Sequence, residues 1–360
     1  MLDGMPITWF WLAVQVCIAS ILPQATASIA GTGFKVDVHT HPIPPIFRQA
    51  LIDAGDNATK DGNVLVDDFR TPNFILESYL EEHVEHGYDF SIFSITAPGV
   101  NFLKGDSRAR ELARQLNDQM SSWAQQHPKR LGAFGILPLP DVYASLEAIR
   151  YCLDDLHFEG IGLYTNVTGV YLGDEALDPI MEELNRRRAV AFVHPAGPPE
   201  APSLPLMSLP VLEYTFDTTR AIGNLLFTQT RKRSPDINTI FSHGGGALPF
   251  LADQLALQSP LPFQGGRNFN ESLAEMQGYY YDTAVVIREP LFAALNAFVG
   301  SSKMVTGSDY PFMPGSAIPL AQKALTGFDG FFQEDREKIG WKNAFALFPS
   351  LKEKFPDIAS

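Results

Sequence analysis

"VDVHTHPIPP", residues 36–45, decides how the chain is read. An alternating β-branched run ends in two histidines, His39 and His41, and a proline cluster then stops it. Side chains at i and i+2 of a strand share a face. The two imidazoles therefore project together from a strand terminus where a loop begins. An HxH in that place fits half of a metal site, or two polar residues at the mouth of a turn. The rest of the chain has to choose between them.

The remaining sequence keeps one rhythm. Strands are expected near 34–41, 88–95, 131–136, 160–165, 190–194, 237–243, 279–284 and 303–309. Amphipathic helices are expected between them, near 107–127, 141–157, 175–188, 211–233, 247–257 and 288–299. In "TPNFILESYLEEHVEHG" (71–87), Thr71 is placed to cap and Pro72 to take the first helical position. Ile75, Tyr79, Leu80 and Val84 then form the apolar stripe. Eight strands alternating with helices define an α/β fold, a single-domain (β/α)8 barrel over 28–360. No linker rich in glycine and serine, low-complexity tract or internal repeat interrupts it. The proline-rich stretch 195–210 follows strand five and is expected to be an active-site loop.

Composition agrees with one large core. The chain has 360 residues, 45% of them hydrophobic and 19% charged. A net charge of −14 argues against nucleic acid or anionic membrane surfaces as partners, because both need basic patches.

The first residues read as a separate signal. Residues 7–22 are apolar apart from Thr8, Gln15 and Ser20, and Ala25 and Ala27 occupy the A-x-A positions before Ser28. Residues 1–27 are expected to be a secretory signal peptide, although the leading segment carries Asp3 and no Lys or Arg. The mature protein is then expected in the secretory pathway, without a membrane segment. Cys17 leaves with the signal. Cys152, in "LEAIRYCLDDL", remains as a buried structural thiol with no disulfide partner. Sequons stand at Asn57, Asn166 and Asn270, and Asn166 is expected to be poorly glycosylated at the barrel rim.

Catalytic groups in such a barrel sit at the C-terminal ends of strands. Four of the eight histidines fall there: His39 and His41 on strand one, His194 on five, His243 on six. Asp309 ends strand eight in "TGSDYPF". The other histidines, His83, His86, His127 and His157, fall in helices or at their ends and are expected at the surface. Any one of the rim residues alone reads as a satisfied polar group. Their shared rim reads as a nitrogen and oxygen donor set for zinc or manganese.

The strand-one HxH, the strand-five histidine, "SHGGGALPF" (242–250) and "GSDYPF" (307–312) resemble the amidohydrolase superfamily, and within it the decarboxylase branch. Members of that branch include the aminocarboxymuconate-semialdehyde and 6-methylsalicylate decarboxylases. "ILPLPDV" (136–142), "GIGLYTNVTGVYLGD" (160–174) and "LEYTFDTTRAIGNLL" (212–226) are more similar to the 6-methylsalicylate type. The resemblance runs from about 34 to 348. It implies His39, His41, His194 and Asp309 as ligands of one divalent ion, zinc preferred over manganese, and His243 as a catalytic histidine beside it. It also allows a homodimer.

Two departures refine the expectation. The bridging lysine of two-metal relatives has no counterpart in "GIGLYT", which implies a single ion. Muconate-type enzymes carry a carboxylate-binding arginine where this chain has Gln254. A dicarboxylate therefore fits poorly, and a small aromatic acid of the salicylate class fits better, in polyketide secondary metabolism. Arg220 and Arg70 are candidates to replace that arginine, with a structural ion pair to Asp217 the other reading of Arg220; Phe312 is a candidate to pack on the substrate ring, or is ordinary core. The implied reaction is non-oxidative decarboxylation, with Asp309 as proton donor and His243 polarising the substrate oxygen. No organic cofactor is needed. The alternative is a hydrolase of lactones or amides that uses the same ligands and a metal-bound hydroxide.

Overall fold

The computed structural model describes residues 33–55, 64–202 and 204–359. The expected signal segment, Cys17 and Asn57 lie outside the described residues. Eight parallel strands run in chain order around one barrel: β1 Val36–Thr40, β2 Phe90–Phe93, β3 Leu131–Gly135, β4 Gly160–Tyr164, β5 Val190–His194, β6 Asn238–Phe241, β7 Tyr280–Asp282 and β8 Met304–Val305. Val38 N donates to Thr306 O at 3.0 Å, and Thr40 bridges Tyr310, so the segment after β8 closes the ring against β1.

The helices form where their caps and stripes agree. In Ser107–Gln126, Asp106 accepts from the amides of Arg108 and Ala109, and Leu112, Leu116 and Met120 are buried one turn apart. Elsewhere the expected boundaries shift. The helix expected from Pro72 begins at Leu76, and Thr71 is a buried residue bonded to Val64 rather than a cap. That start rotates the buried face: Leu76, Tyr79 and His83 point inward, while Ile75 and Val84 are exposed. His83, expected at the surface, is instead 2% exposed, its ring against Ser91 and Asp37. Of the remaining helix histidines, His86 and His127 are half-buried and His157 is exposed. The expected helix 211–233 runs as Leu209–Phe227 and Thr230–Arg233, broken at Gln229, whose φ is +57°. Cys152 is a buried free thiol, as expected, and burial pushes its pKa up.

The barrel has two unlike ends. At the N-terminal end Phe345 and Phe348 pack with Val36, Phe90 and Phe134 and plug the opening. Phe134 stacks on Phe192 at 5.2 Å across the interior. Each such ring removed from water contributes roughly 1.5–3 kcal/mol. At the other end, polar side chains take the inward positions.

Candidate metal centre

Strict alternation would not bring the strand-one histidines inside. Val36 and Val38 already face the lumen, which leaves the odd positions facing out. A bulge resolves this. Asp37 pairs with Ser91 but Thr40 pairs with Phe93, so β1 spends one residue more than β2 over the same length. Past the bulge the inward positions are 39 and 41, and the His39 ring lies 5.1 Å from Phe192 on the aromatic floor. Bulges re-aim side chains in this way beside functional sites. Across the seam Gly307 has no room for a side chain, because a Cβ there would sit 2.8 Å from His39 Cβ.

One donor atom from each of His39, His41, His194 and Asp309 falls within 4.8 Å of the others. The Nε2 atoms of His39 and His41 are 3.0 Å apart, and Asp309 Oδ1 lies 3.2 and 3.4 Å from them. Each Nδ1 is engaged behind the site: His39 on Asp282 at 2.6 Å, His41 on the Ser94 carbonyl at 2.9 Å, His194 on the Pro195 carbonyl at 2.8 Å. The acceptors hold a proton on each Nδ1, so that Nε2, which faces the centre, is the nitrogen left to act as a ligand once it carries no proton. That is the outer support metal-binding histidines need. Three aligned imidazoles and one carboxylate fit a single divalent ion of the zinc or manganese kind.

His243 stands beside this group rather than in it. Its Nε2 is 3.5 Å from Asp309 Oδ2, so one oxygen of Asp309 faces the ligand histidines and the other faces His243. His243 and Asp309 both adopt left-handed backbone, at φ 55° and 57°. Gly244, Gly245 and Gly246 continue with positive φ, which explains the glycine run after the histidine.

The electrostatics sort the protons. Burial would lower His39, but the Asp282 and Asp309 carboxylates overcome it and hold the imidazole up at about 10. Burial keeps His41 low, and burial together with its histidine neighbours keeps His194 well below the usual range. Burial disfavours the Asp309 carboxylate, yet His39, His243 and His41 outweigh it and hold the acid ionised. Of the three ligand imidazoles, His41 and His194 are thus neutral with a lone pair to donate, whereas His39 must release a proton before it can bind an ion.

Above the centre lies a cavity of about 280 Å3, near the lower end of small-molecule sites (about 300–1,000 Å3). His194, His243 and Asp309 form its polar end, and Val66, Phe69, Ala97, Val211, Val285 and Phe312 form apolar wall. Among the described residues no lysine or arginine lines it. Phe312 is where the sequence placed it, edge-on to His41 at 5.7 Å. Arg220 is not: it is half exposed on the helix Leu209–Phe227, 3.6 Å from both Glu213 and Asp217. Those two acids hold it in an ion pair, the other reading of Arg220 that the sequence allowed, and it does not line the cavity. Arg70 also lies outside the lining, and Gln254 is exposed on the helix Leu248–Gln258. Of the proline-rich stretch 195–210, Pro210 alone among the described residues lines the cavity, from the first turn of the helix Leu209–Phe227.

Sequence reasoning missed Asp282. It ends β7 in "YYYDTA", fully buried, and accepts from His39 Nδ1 and from the amides of His243 and Ala284. Its signal was available: an acid at the C-terminal end of an expected strand.

A nearly closed eight-stranded barrel with this donor set at its C-terminal rim defines a metal-site barrel of the amidohydrolase type. The amidohydrolase family model matches residues 36–350, and the chain belongs to that family. The chain is 33% identical over 335 residues to decarboxylase yanB of Aspergillus niger, covering 88% of each chain. It is also 33% identical over 332 residues to the 6-methylsalicylic acid decarboxylase acuB of Aspergillus aculeatus, covering 88% of this chain and 97% of that one. Among solved structures, an amidohydrolase II superposes with a TM-score of 0.79 at 27% identity, covering 87% of this chain and 99% of the other.

Proposed function

We propose that this chain is a metal-dependent, non-oxidative decarboxylase of a small salicylate-type acid, with 6-methylsalicylic acid the first substrate to test. One observation carries the reading. The donor cluster sits at the end of an apolar cavity whose lining, among the described residues, holds no lysine or arginine. An aromatic ring fits such a wall, and a single carboxylate fits its polar end at the donor cluster. The named relatives above are decarboxylases, one of them of this very acid.

His39, His41, His194 and Asp309 would hold the ion. When bound, it would supply Lewis acidity that lowers the pKa of an ortho-phenol, the electron sink that a bare aryl carbanion lacks. The chain's own groups move the proton. His243 Nε2 faces Asp309 Oδ2 and passes a proton to that oxygen, and Asp309 delivers it to the ring carbon bearing the carboxylate. The protonated ring is a dienone whose carbonyl lies β to the carboxylate. The C–C bond breaks, CO2 leaves, and the bonding pair restores aromaticity. One proton enters, one CO2 departs, and nothing is oxidised. Phe312 packs on the ring and helps exclude water.

Zinc is the proposed ion, one per chain, because nitrogen-rich sites bind it more tightly than manganese. Elemental analysis of purified protein tests this; manganese in its place would overturn the metal's identity alone. The test of function is metal-replete protein incubated with a panel of salicylates, with CO2 release and lactone or amide hydrolysis followed in parallel. CO2 release is expected. Hydrolysis without CO2 would favour the alternative reading.

A further inference from the structure

A short hairpin between the helices Pro45–Asp53 and Leu76–Glu85 lies outside the barrel sheet, yet it contributes to the cavity wall. Leu65–Val66 pairs antiparallel with Phe69–Arg70, and the cross-strand partners Val66 and Phe69 both line the cavity. The Phe69 ring lies 6.0 Å from Phe312, the ring that sits against His41. Asp67 and Asp68 make the turn, both left-handed at φ 51° and 61°. Such a turn favours Asn-Gly or Asp-Gly, and two-residue strands do not hold together alone. Something outside the hairpin must fix it.

The fixing contacts converge on Asp67. Tyr214 OH donates to its Oδ2 at 2.6 Å, the Gly197 backbone lies close against the same carboxylate, and Leu209 N donates to its backbone carbonyl at 3.1 Å. The socket is shaped for it. A Cβ on Gly197 would lie 2.7 Å from both carboxylate oxygens, so only glycine at that position admits the acid. Gly197 stands three residues after His194, and Tyr214 lines the cavity edge-on to that ring at 6.0 Å. The carboxylate thus ties a segment near the N-terminus to the loop that leaves β5. Burial pushes its pKa up, so docking withdraws it from water.

We propose that Asp67 is a positioning residue: docked against Gly197 and Tyr214, it pins the hairpin so that Val66 and Phe69 complete the wall that receives the substrate's aromatic ring. The proposal rests on the reading of the cavity as the aromatic-acid site. It assigns Asp67 no part in proton transfer or metal binding. Loss of the latch weakens ring binding and leaves the metal in place.

The test compares wild-type protein with Asp67→Ala, Asp67→Asn and Gly197→Ala, all metal-replete. It measures salicylate affinity by calorimetry, metal content, melting temperature, and amide hydrogen exchange over residues 64–70. Asp67→Ala and Gly197→Ala should lose salicylate affinity about 10-fold, the scale of one hydrogen-bonded charged group. Exchange over 64–70 should quicken, with metal content kept. Gly197→Ala reaches the same result with Asp67 intact. Asp67→Asn should recover part of the loss, because its oxygen still accepts from Tyr214. Unchanged exchange over 64–70 in Asp67→Ala overturns the latch whatever the ligand. Unchanged salicylate affinity, or affinity lost only together with metal, also overturns it. If wild-type protein decarboxylates no salicylate but Asp67→Ala still weakens its binding, the decarboxylase reading falls and the latch stands.

Discussion

Replacing Asp282 with asparagine tests the metal centre without touching a ligand. Asp282 Oδ2 accepts from His39 Nδ1 at 2.6 Å, while Oδ1 accepts from the amides of His243 and Ala284 at 2.8 and 3.0 Å. An asparagine cannot serve both sides. If its oxygen keeps the two amides, its NH2 faces His39 Nδ1, which must become an acceptor. The proton then moves to Nε2, where it points into the centre and removes a ligand lone pair. If the side chain flips, His39 keeps its partner but two buried amides lose theirs, at about 1–3 kcal/mol each. The first outcome costs metal affinity, for which loss of an outer-shell partner is typically about 10–100-fold, or about 1.4–2.7 kcal/mol. The second costs stability. Chelator competition measures one and thermal melting of metal-stripped protein the other. Asp282→Asn with wild-type metal affinity and wild-type melting would refute the assignment of Asp282 as the group that sets the His39 tautomer.

Three further outcomes are expected. Asp309→Asn at full metal occupancy should lower turnover by at least ~10², and in D2O the wild-type product should carry one deuterium at the vacated ring position. Near-wild-type turnover would move the proton donor to His243 or to water. Metal-stripped protein should lose stability as pH rises: His39 is raised from 6.5 to about 10, so its contribution is full below 6.5 and gone above about 10. Metal affinity should rise over the same window, because binding needs that proton released; a flat melting profile from pH 6.5 to 10 would sink the argument. The proposal that the mature chain begins near Ser28 and enters the secretory route predicts that N-terminal sequencing from the native host finds no Met1. Glycan should then be absent from Asn166, which is 2% exposed with its amide bonded to Asp217 at 3.1 Å, and peptide mapping checks this.

What the sequence made legible was whatever depends on period and on strand ends. The alternation of strands and helices placed all eight barrel strands, and His39, His41, His194, His243 and Asp309 fell on one rim as expected. What escaped it depends on contacts between distant segments. The bulge in β1 appears only when Thr40 is set against Phe93, since neither strand alone contains an irregular residue. β8 was expected to reach 309 but its ladder stops at Val305; beyond it, Ser308 and Asp309 both donate their amides to the His39 carbonyl. His83 was misplaced because apolar periodicity scores a histidine as surface, whereas Ser91 and Asp37 satisfy it in the interior. Arg220 carried two readings, a substrate contact or an ion pair with Asp217 on its own helix; the structure has the ion pair and adds Glu213 to it.

The same long-range contacts explain how the site tolerates its own strain. His243 and Asp309 each hold a left-handed backbone, which costs about 1–3 kcal/mol for a residue with a side chain. Each is held by a partner from another strand. Asp282 holds the His243 amide, a hydrogen bond to a charged group that contributes about 1.5–3 kcal/mol. The His39 carbonyl holds the Asp309 amide at 2.8 Å. Asp37 then clamps the preceding Ser308 through both its amide and its hydroxyl, at 2.9 and 2.6 Å, while accepting the His39 amide from its own strand. These bonds offset part of that strain and hold both residues in place. Beneath them, the stacked Phe134 and Phe192 and the Phe345–Phe348 plug leave the barrel floor no freedom to yield. Asp37 is therefore as much a part of the site as any ligand, although it never faces the cavity: it joins the bulge that turns the histidines inward to the loop that presents Asp309.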